Sequence, residues 1–127
     1  MRKSEKGQSL VEMALIFPVL LLLFAGIVDL GRGFNAYITI TNAAREGARY
    51  GSFYPTDTTG IQTHVQNEAA GTGITITNIS VTFPSGNAPG NPIRVEVTYS
   101  FSTILGLVLG QSSIQLTNAA EMIIYGE

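Results

Sequence analysis

The sequence predicts an α+β protein in which a long N-terminal helix, membrane-spanning in its first half, packs on a small antiparallel sheet of about three strands. Three observations predict this fold class. An apolar N-terminal segment is long enough to span a membrane, a helix-compatible stretch follows it without a break, and the C-terminal half alternates apolar and polar residues. With 127 residues, the chain has room for one small domain beside such a helix.

The apolar segment near the N-terminus is the strongest single feature. Residues 14–28 read ALIFPVLLLLFAGIV, and extension to Leu10 and Leu30 adds only Glu12 and Asp29 as interruptions. A helix of roughly 20 apolar residues spans the hydrocarbon core of a bilayer. A cleaved secretory signal peptide is the alternative, but it should end at a small-residue cleavage site followed by a change of character. Here the sequence continues as helix, so we expect an uncleaved anchor.

The charges around this segment predict its orientation. Arg2, Lys3 and Lys6 precede the segment, and lysine does not occur after it. By the positive-inside rule, a short basic tail stays in the cytoplasm. We therefore expect a single-pass protein of the cytoplasmic (inner) membrane, with its N-terminus inside and the bulk of the chain outside.

Residues 34–50, FNAYITITNAAREGARY, continue the helical pattern beyond the membrane. β-Branched residues at 38–41 weaken this prediction, and the alanine-containing stretch after them strengthens it. Ala43, Gly47 and Gly51 recur every four residues and form a stripe that allows close approach of a helix or a sheet. The two glycines can also fray the helix towards its end near Ser52, and the two interpretations are compatible.

The remaining elements are one short helix and three strands. The helix is expected between Asp57 and Gly71, with Ile61, Val65 and Ala69 on one face and with Asp57 or a nearby threonine as the N-cap. The three segments with strand-like alternation are residues 74–83, 93–101 and 114–124, of which the first slips in phase at 77–78 and suggests a β-bulge or a short bend. Residues 84–92, PSGNAPGNP, should form a hairpin loop. The apolar stretch 103–110, TILGLVLG, can pack under the sheet, lie on the membrane surface or contact a partner.

The composition argues against several functional classes. The formal net charge of -2 provides no electrostatic case for nucleic-acid binding. Cysteine is absent, which excludes a thiolate metal site, and the lone histidine, His64, is typical of a surface residue. No HExxH motif and no glycine-rich phosphate loop occurs in the sequence. We therefore expect no enzyme activity, no cofactor, no metal and no small-molecule substrate.

The first residues carry a pattern that indicates processing. A basic tail ends at Gly7, and a cut after it would make Gln8 the N-terminus and Glu12 the fifth residue. A carboxylate near the bilayer is costly unless it is paired, and the new α-amino group is a suitable partner. Alternatively, Glu12 lies at headgroup level, where it costs little. The arrangement resembles the class-III leader of type IV pilins, which implies removal of residues 1–7 by a prepilin peptidase.

Residues 7–51, from GQSLVEMALIFP to AREGARYG, closely resemble the N-terminal region of TadE-like proteins, the pseudopilins or minor pilins of tight-adherence (Tad/Flp) pilus systems. The resemblance includes Pro18, the Asp29/Arg32 pair and the AREGAR string at 44–49. It implies other pilin or pseudopilin subunits as partners, a role in pilus biogenesis and cell adhesion, and a place on the pilus or cell surface after assembly. The chain then divides into a leader (1–7), a transmembrane helix (8–30), its continuation outside the membrane (31–53) and a small domain (54–127).

Two charged pairs are further candidates for function. Asp29 and Arg32 are three residues apart, so they share a helix face and can form a helix-end ion pair at the membrane surface. Arg45 and Arg49 are one turn apart and can contact a neighbouring subunit or anionic headgroups, although a solvated helix face fits equally well. The alternative function is an unprocessed, membrane-anchored binding or adhesion module that does not assemble into a pilus. Whether the mature chain begins at Gln8 separates the two functions.

Overall fold

The computed structural model describes residues 2–110 and 113–126, with side chains from residue 5 onward. Within these residues it contains helices α1 (Arg2–Phe53), α2 (Thr58–Ala69) and α3 (Ile104–Leu109), and strands β1 (Asn78–Thr82), β2 (Pro92–Phe101) and β3 (Ile114–Ile123). The α+β fold class that the sequence predicts is thereby confirmed. Met1 and the side chains of Arg2 and Lys3, which belong to the predicted basic leader, lie outside the described parts.

Helix α1 is continuous over 52 residues, which makes it roughly 78 Å long at the usual rise per residue. Its side chains from Glu5 to Phe24 are all exposed, whereas the C-terminal half packs against the domain. The β-branched residues at 38–41 lie within the packed half, and Ile40 is completely buried there. Burial therefore compensates for the lower helix propensity of these residues.

The sheet is antiparallel, with the strand order β1-β2-β3. On the central strand, Ile93, Val95 and Val97 are completely buried against α1 and α2. The two residues between them, Arg94 and Glu96, are only partly buried. The alternation along residues 93–101 thus correctly predicted one covered face and one wetter face.

The structure differs from the prediction at residues 74–77, which lie outside β1. The phase slip at 77–78 marks the start of the strand, because the pairing with β2 runs in regular register from Asn78 onward without a bulge. Thr77 still supports the sheet, since its N–H donates to the Thr98 carbonyl at 2.9 Å and its hydroxyl accepts from the Ser100 N–H at 3.1 Å.

Helix α2 lies on α1 with Ile61, Val65 and Ala69 buried, which is the face that the sequence predicts. Asp57 is the N-cap, and its carboxylate accepts the Gly60 N–H at 3.0 Å and the Tyr50 hydroxyl at 2.6 Å. Because Tyr50 belongs to α1, this cap also ties the two helices together.

The glycines of the small-residue stripe lie where α1 crosses both α2 and β2. A Cβ atom on Gly47 would overlap the Val65 side chain and come within 3.1 Å of Val95, and one on Gly51 would lie 2.5 Å from Ile93. The helix continues to Phe53 beyond both glycines. The stripe therefore serves close packing against a helix and a sheet, as one of the two interpretations predicts.

We expect Gly47→Ala to destabilise the domain. The added methyl group meets Val65 and costs about 1–3 kcal/mol, of which the better helix propensity of alanine recovers at most about 1 kcal/mol. Thermal unfolding of the detergent-solubilised protein measures the difference. Gly31→Ala is the control, because nothing lies within 4 Å of its Cβ position. Equal unfolding midpoints for the two variants would contradict the prediction.

Candidate assembly surface and membrane junction

The first half of α1 presents apolar side chains that nothing in the described parts of the chain covers. Between Leu10 and Phe24, every large apolar side chain is at least 40% exposed. Among the described residues, α1 is also the one helix long and apolar enough to cross a membrane. A helix that is apolar all round is typical of burial in lipid or among other helices. We call the exposed segment from Leu10 to Phe24 the bare segment.

The predicted processing site precedes the bare segment. Gly7 and Gln8 are exposed and helical, and α1 runs through both without a break. Glu12 is one turn beyond Gln8 on the same helix face, and helical side chains lean towards the N-terminus. Its carboxylate would therefore lean towards an α-amino group on Gln8. Among the described side chains, Glu12 has no ion-pair partner.

Asp29 joins the anchor to the domain. One carboxylate oxygen accepts the Ile104 N–H at 2.8 Å, and the other accepts the Leu105 N–H at 2.9 Å. The first N–H groups of a helix lack partners within that helix, so a carboxylate placed there satisfies them. Thr103 adds the N-cap, its hydroxyl accepting the Gly106 N–H at 2.8 Å. Asp29 is itself only 7% exposed.

Arg32 holds the end of β2 beside this contact. Its guanidinium lies 3.5 Å from the Asp29 carboxylate and 3.4 Å from the Ser102 carbonyl, and it also lies over the Phe101 ring at 5.1 Å. A cation over an aromatic face is attracted by the ring quadrupole. We call Asp29, Arg32 and the segment from Phe101 to Leu105 the junction.

Sequence reasoning identified Asp29 and Arg32 but missed the stronger role of Asp29. The distance from Asp29 to Arg32, 3.5 Å, exceeds the distances from Asp29 to the two backbone N–H groups, 2.8 and 2.9 Å. The residues that donate these two N–H groups are 75 and 76 positions later in the chain. A pairing over that separation leaves no local pattern. The one available signal was Thr103, a good N-cap residue directly before an apolar run.

The two arginines near the end of α1 have different surroundings. Arg49 donates to both Glu46 oxygens, at 2.7 and 3.1 Å, and His64 lies 3.4 Å from the same carboxylate. The hydrogen bond from Arg49 holds the pKa of Glu46 below its usual value, with His64 adding to the effect. Arg45 is exposed and has no partner among the described residues. Arg45 is thus the more available of the two for an outside contact.

The lowered pKa of Glu46 predicts a pH-dependent contribution to stability. The ionised carboxylate stabilises the fold above the usual glutamate pKa, and this contribution is lost as the pH falls through the lower folded-state value. We expect Glu46→Gln to lower the free energy of unfolding by less than about 1 kcal/mol at neutral pH, because exposed ion pairs contribute little. In acid, the loss caused by the same substitution should be smaller than at neutral pH. Thermal unfolding at both pH values measures this. Glu68→Gln, at an exposed position of α2, is the control, and an equal cost of Glu46→Gln at both pH values would contradict the prediction.

Comparison with known proteins relates most of α1 to one family. Residues 7–49 match the family model described as TadE-like protein, which confirms the resemblance that the sequence shows. Searches of curated proteins and of solved structures give no significant match. The matched range begins at the predicted processing site, includes the bare segment, Asp29 and Arg32, and ends before α2. Residues 7–49, about a third of the chain, are therefore similar to the TadE-like family.

Proposed function

We propose that this protein is a pseudopilin or minor pilin of a Tad-type pilus, with a structural role in pilus biogenesis and surface adhesion and no catalytic one. The observation that carries the proposal is the division of α1 into a bare apolar half and a half that holds a folded domain. Such a helix needs lipid or other helices around its first half. The TadE-like match covers both halves, and a pilin-like subunit uses them as anchor and as assembly element.

In this proposal, the bare segment changes surroundings on assembly. It lies in the cytoplasmic membrane first, with the N-terminus inside and the domain outside, and then packs against helices of other pilin or pseudopilin subunits. Lipid tails are as apolar as leucine, so the hydrophobic effect does not favour one state over the other. Polar contacts between helices therefore matter most for association. Glu12 is the acidic residue within the bare segment.

The proposal requires that a prepilin peptidase removes residues 1–7. The exposed, side-chain-free Gly7 leaves the backbone at the predicted site accessible. We expect the intact mass of the protein from membranes to correspond to a chain that begins at Gln8 when an active peptidase is present. Without the peptidase, the mass should include residues 1–7. A chain that keeps its leader beside an active peptidase would favour the unprocessed, membrane-anchored module instead.

We expect Glu12→Ala and Glu12→Gln to block assembly but not membrane insertion or processing. Either change leaves an α-amino group in apolar surroundings without its counter-charge. Loss of one partner of a buried pair costs about 3–5 kcal/mol, which weakens association by about a hundredfold or more. Glutamine retains the shape of the side chain and therefore separates charge from shape. Crosslinking to other pilus subunits, normalised to the amount in the membrane, measures assembly.

Glu5→Ala is the matched control for this experiment. Glu5 is also an exposed acidic residue on α1, but it lies within the leader and is absent from the processed chain. The Glu5→Ala substitution should therefore leave assembly unchanged. If Glu12→Ala also assembles like the parent, the pairing of Glu12 with an α-amino group is wrong.

A further inference from the structure

Helix α3 exposes an apolar surface without a polar side. Leu107, Val108 and Leu109 are 79%, 64% and 73% exposed, and no charged residue occurs from Thr103 to Gly110. The inward positions are Leu105, which contacts α1, and Gly106, which is buried. Exposure of such a patch to water is unfavourable. Large exposed apolar patches therefore mark contact sites.

The junction determines where α3 lies along α1. The Asp29 carboxylate accepts the N–H groups of Ile104 and Leu105, and the Leu105 side chain lies 3.4 Å from the Cβ position of Gly26. Gly26 and Asp29 belong to the last turns of the apolar segment. Helix α3 is therefore held at the level where the predicted span of α1 leaves the bilayer on its outer side.

From this placement, we propose that α3 is a second membrane contact, which inserts Leu107, Val108 and Leu109 into the outer interfacial region of the lipid bilayer beside α1. The inference rests on the proposed anchoring of α1 in a membrane. It goes beyond the anchoring because a single helix leaves the tilt of the domain free, whereas two contacts restrict it. Asp29 then acts as the link that sets the depth of α3.

Lipid is the occupant that the surroundings favour. Helix α3 contacts α1 at Gly26 and Asp29. The residues that follow these two in α1, Ile27 and Leu30, are exposed and apolar and belong to the end of the predicted span. The apolar surface of α3 is thus at the level of side chains that α1 presents to lipid. Interfacial helices bind a bilayer by burying an apolar face at the boundary between headgroups and acyl chains. The charges of Asp29 and Arg32 do not prevent insertion of α3 into lipid, because both side chains have partners within the junction.

Depth-dependent fluorescence quenching tests the proposal on the full chain. Since cysteine is absent from the sequence, an environment-sensitive fluorophore can be attached at one position at a time, through Leu109→Cys, Leu20→Cys or Ile123→Cys. Each protein is reconstituted in vesicles of phosphatidylethanolamine and phosphatidylglycerol that contain nitroxide-labelled lipid. All three side chains are exposed, so the label should not disturb the fold.

Ile123 is the matched control. It is an exposed apolar residue at the opposite end of the domain, where the Tyr125 N–H donates to the Ser52 carbonyl at 2.8 Å. Ser52 lies about 35 Å along α1 from Asp29, well outside the bilayer. The Leu20 position lies within the bare segment and reports the insertion of α1 itself.

We expect loss of fluorescence at the Leu20 and Leu109 positions and none at Ile123. Quenching at Leu20 without quenching at Leu109 would overturn the inference and leave the anchor intact. Absence of quenching at Leu20 would overturn the membrane anchoring and the inference with it. The experiment is repeated at several protein-to-lipid ratios. Quenching at Leu109 should persist at the lowest ratio, where copies of the protein are separated, and its absence there would overturn the proposal.

Discussion

The close packing of α1 on α2 and β2 is the constraint on which the rest of the structure depends. A three-stranded sheet with one apolar face must bury that face against another element. The C-terminal half of α1 and α2 provide the cover, and Gly47 and Gly51 allow it to come close enough. The helix that anchors the protein is thus also part of the core of its domain.

This shared helix makes the anchor and the domain one mechanical unit. Helix α1 continues from the bare segment into the core without a break, so the domain has no separate linker on which to turn. The junction adds a second connection, where Asp29 and Arg32 hold the end of β2 and the start of α3. A force or a rotation applied to α1 in the membrane is therefore transmitted directly to the sheet. That property suits the proposed role, in which the anchor moves from lipid into an assembly.

The family match and the structure divide the functional argument between them. The match ends at residue 49, so it covers the predicted processing site, the bare segment and the α1 side of the junction. The elements that pack against the rest of α1, namely α2, α3 and the sheet, lie outside the match. The roles of Asp29 and of the glycine stripe become visible only when both sides are present. The exposed Arg45 remains available for a contact outside the chain.

The sequence by itself determined the features that depend on local patterns. The apolar run predicted the anchor, the period-two alternation of residues 93–101 predicted the central strand, and Asp57 predicted the start of α2. The tertiary structure alone decided that the stripe at Gly47 and Gly51 packs on both a helix and a strand, that Asp29 binds the start of α3, and that residues 74–77 stay outside the sheet. The reason is physical: local patterns reflect which side a residue turns to the core, whereas these contacts join residues far apart in the chain and depend on how the elements pack.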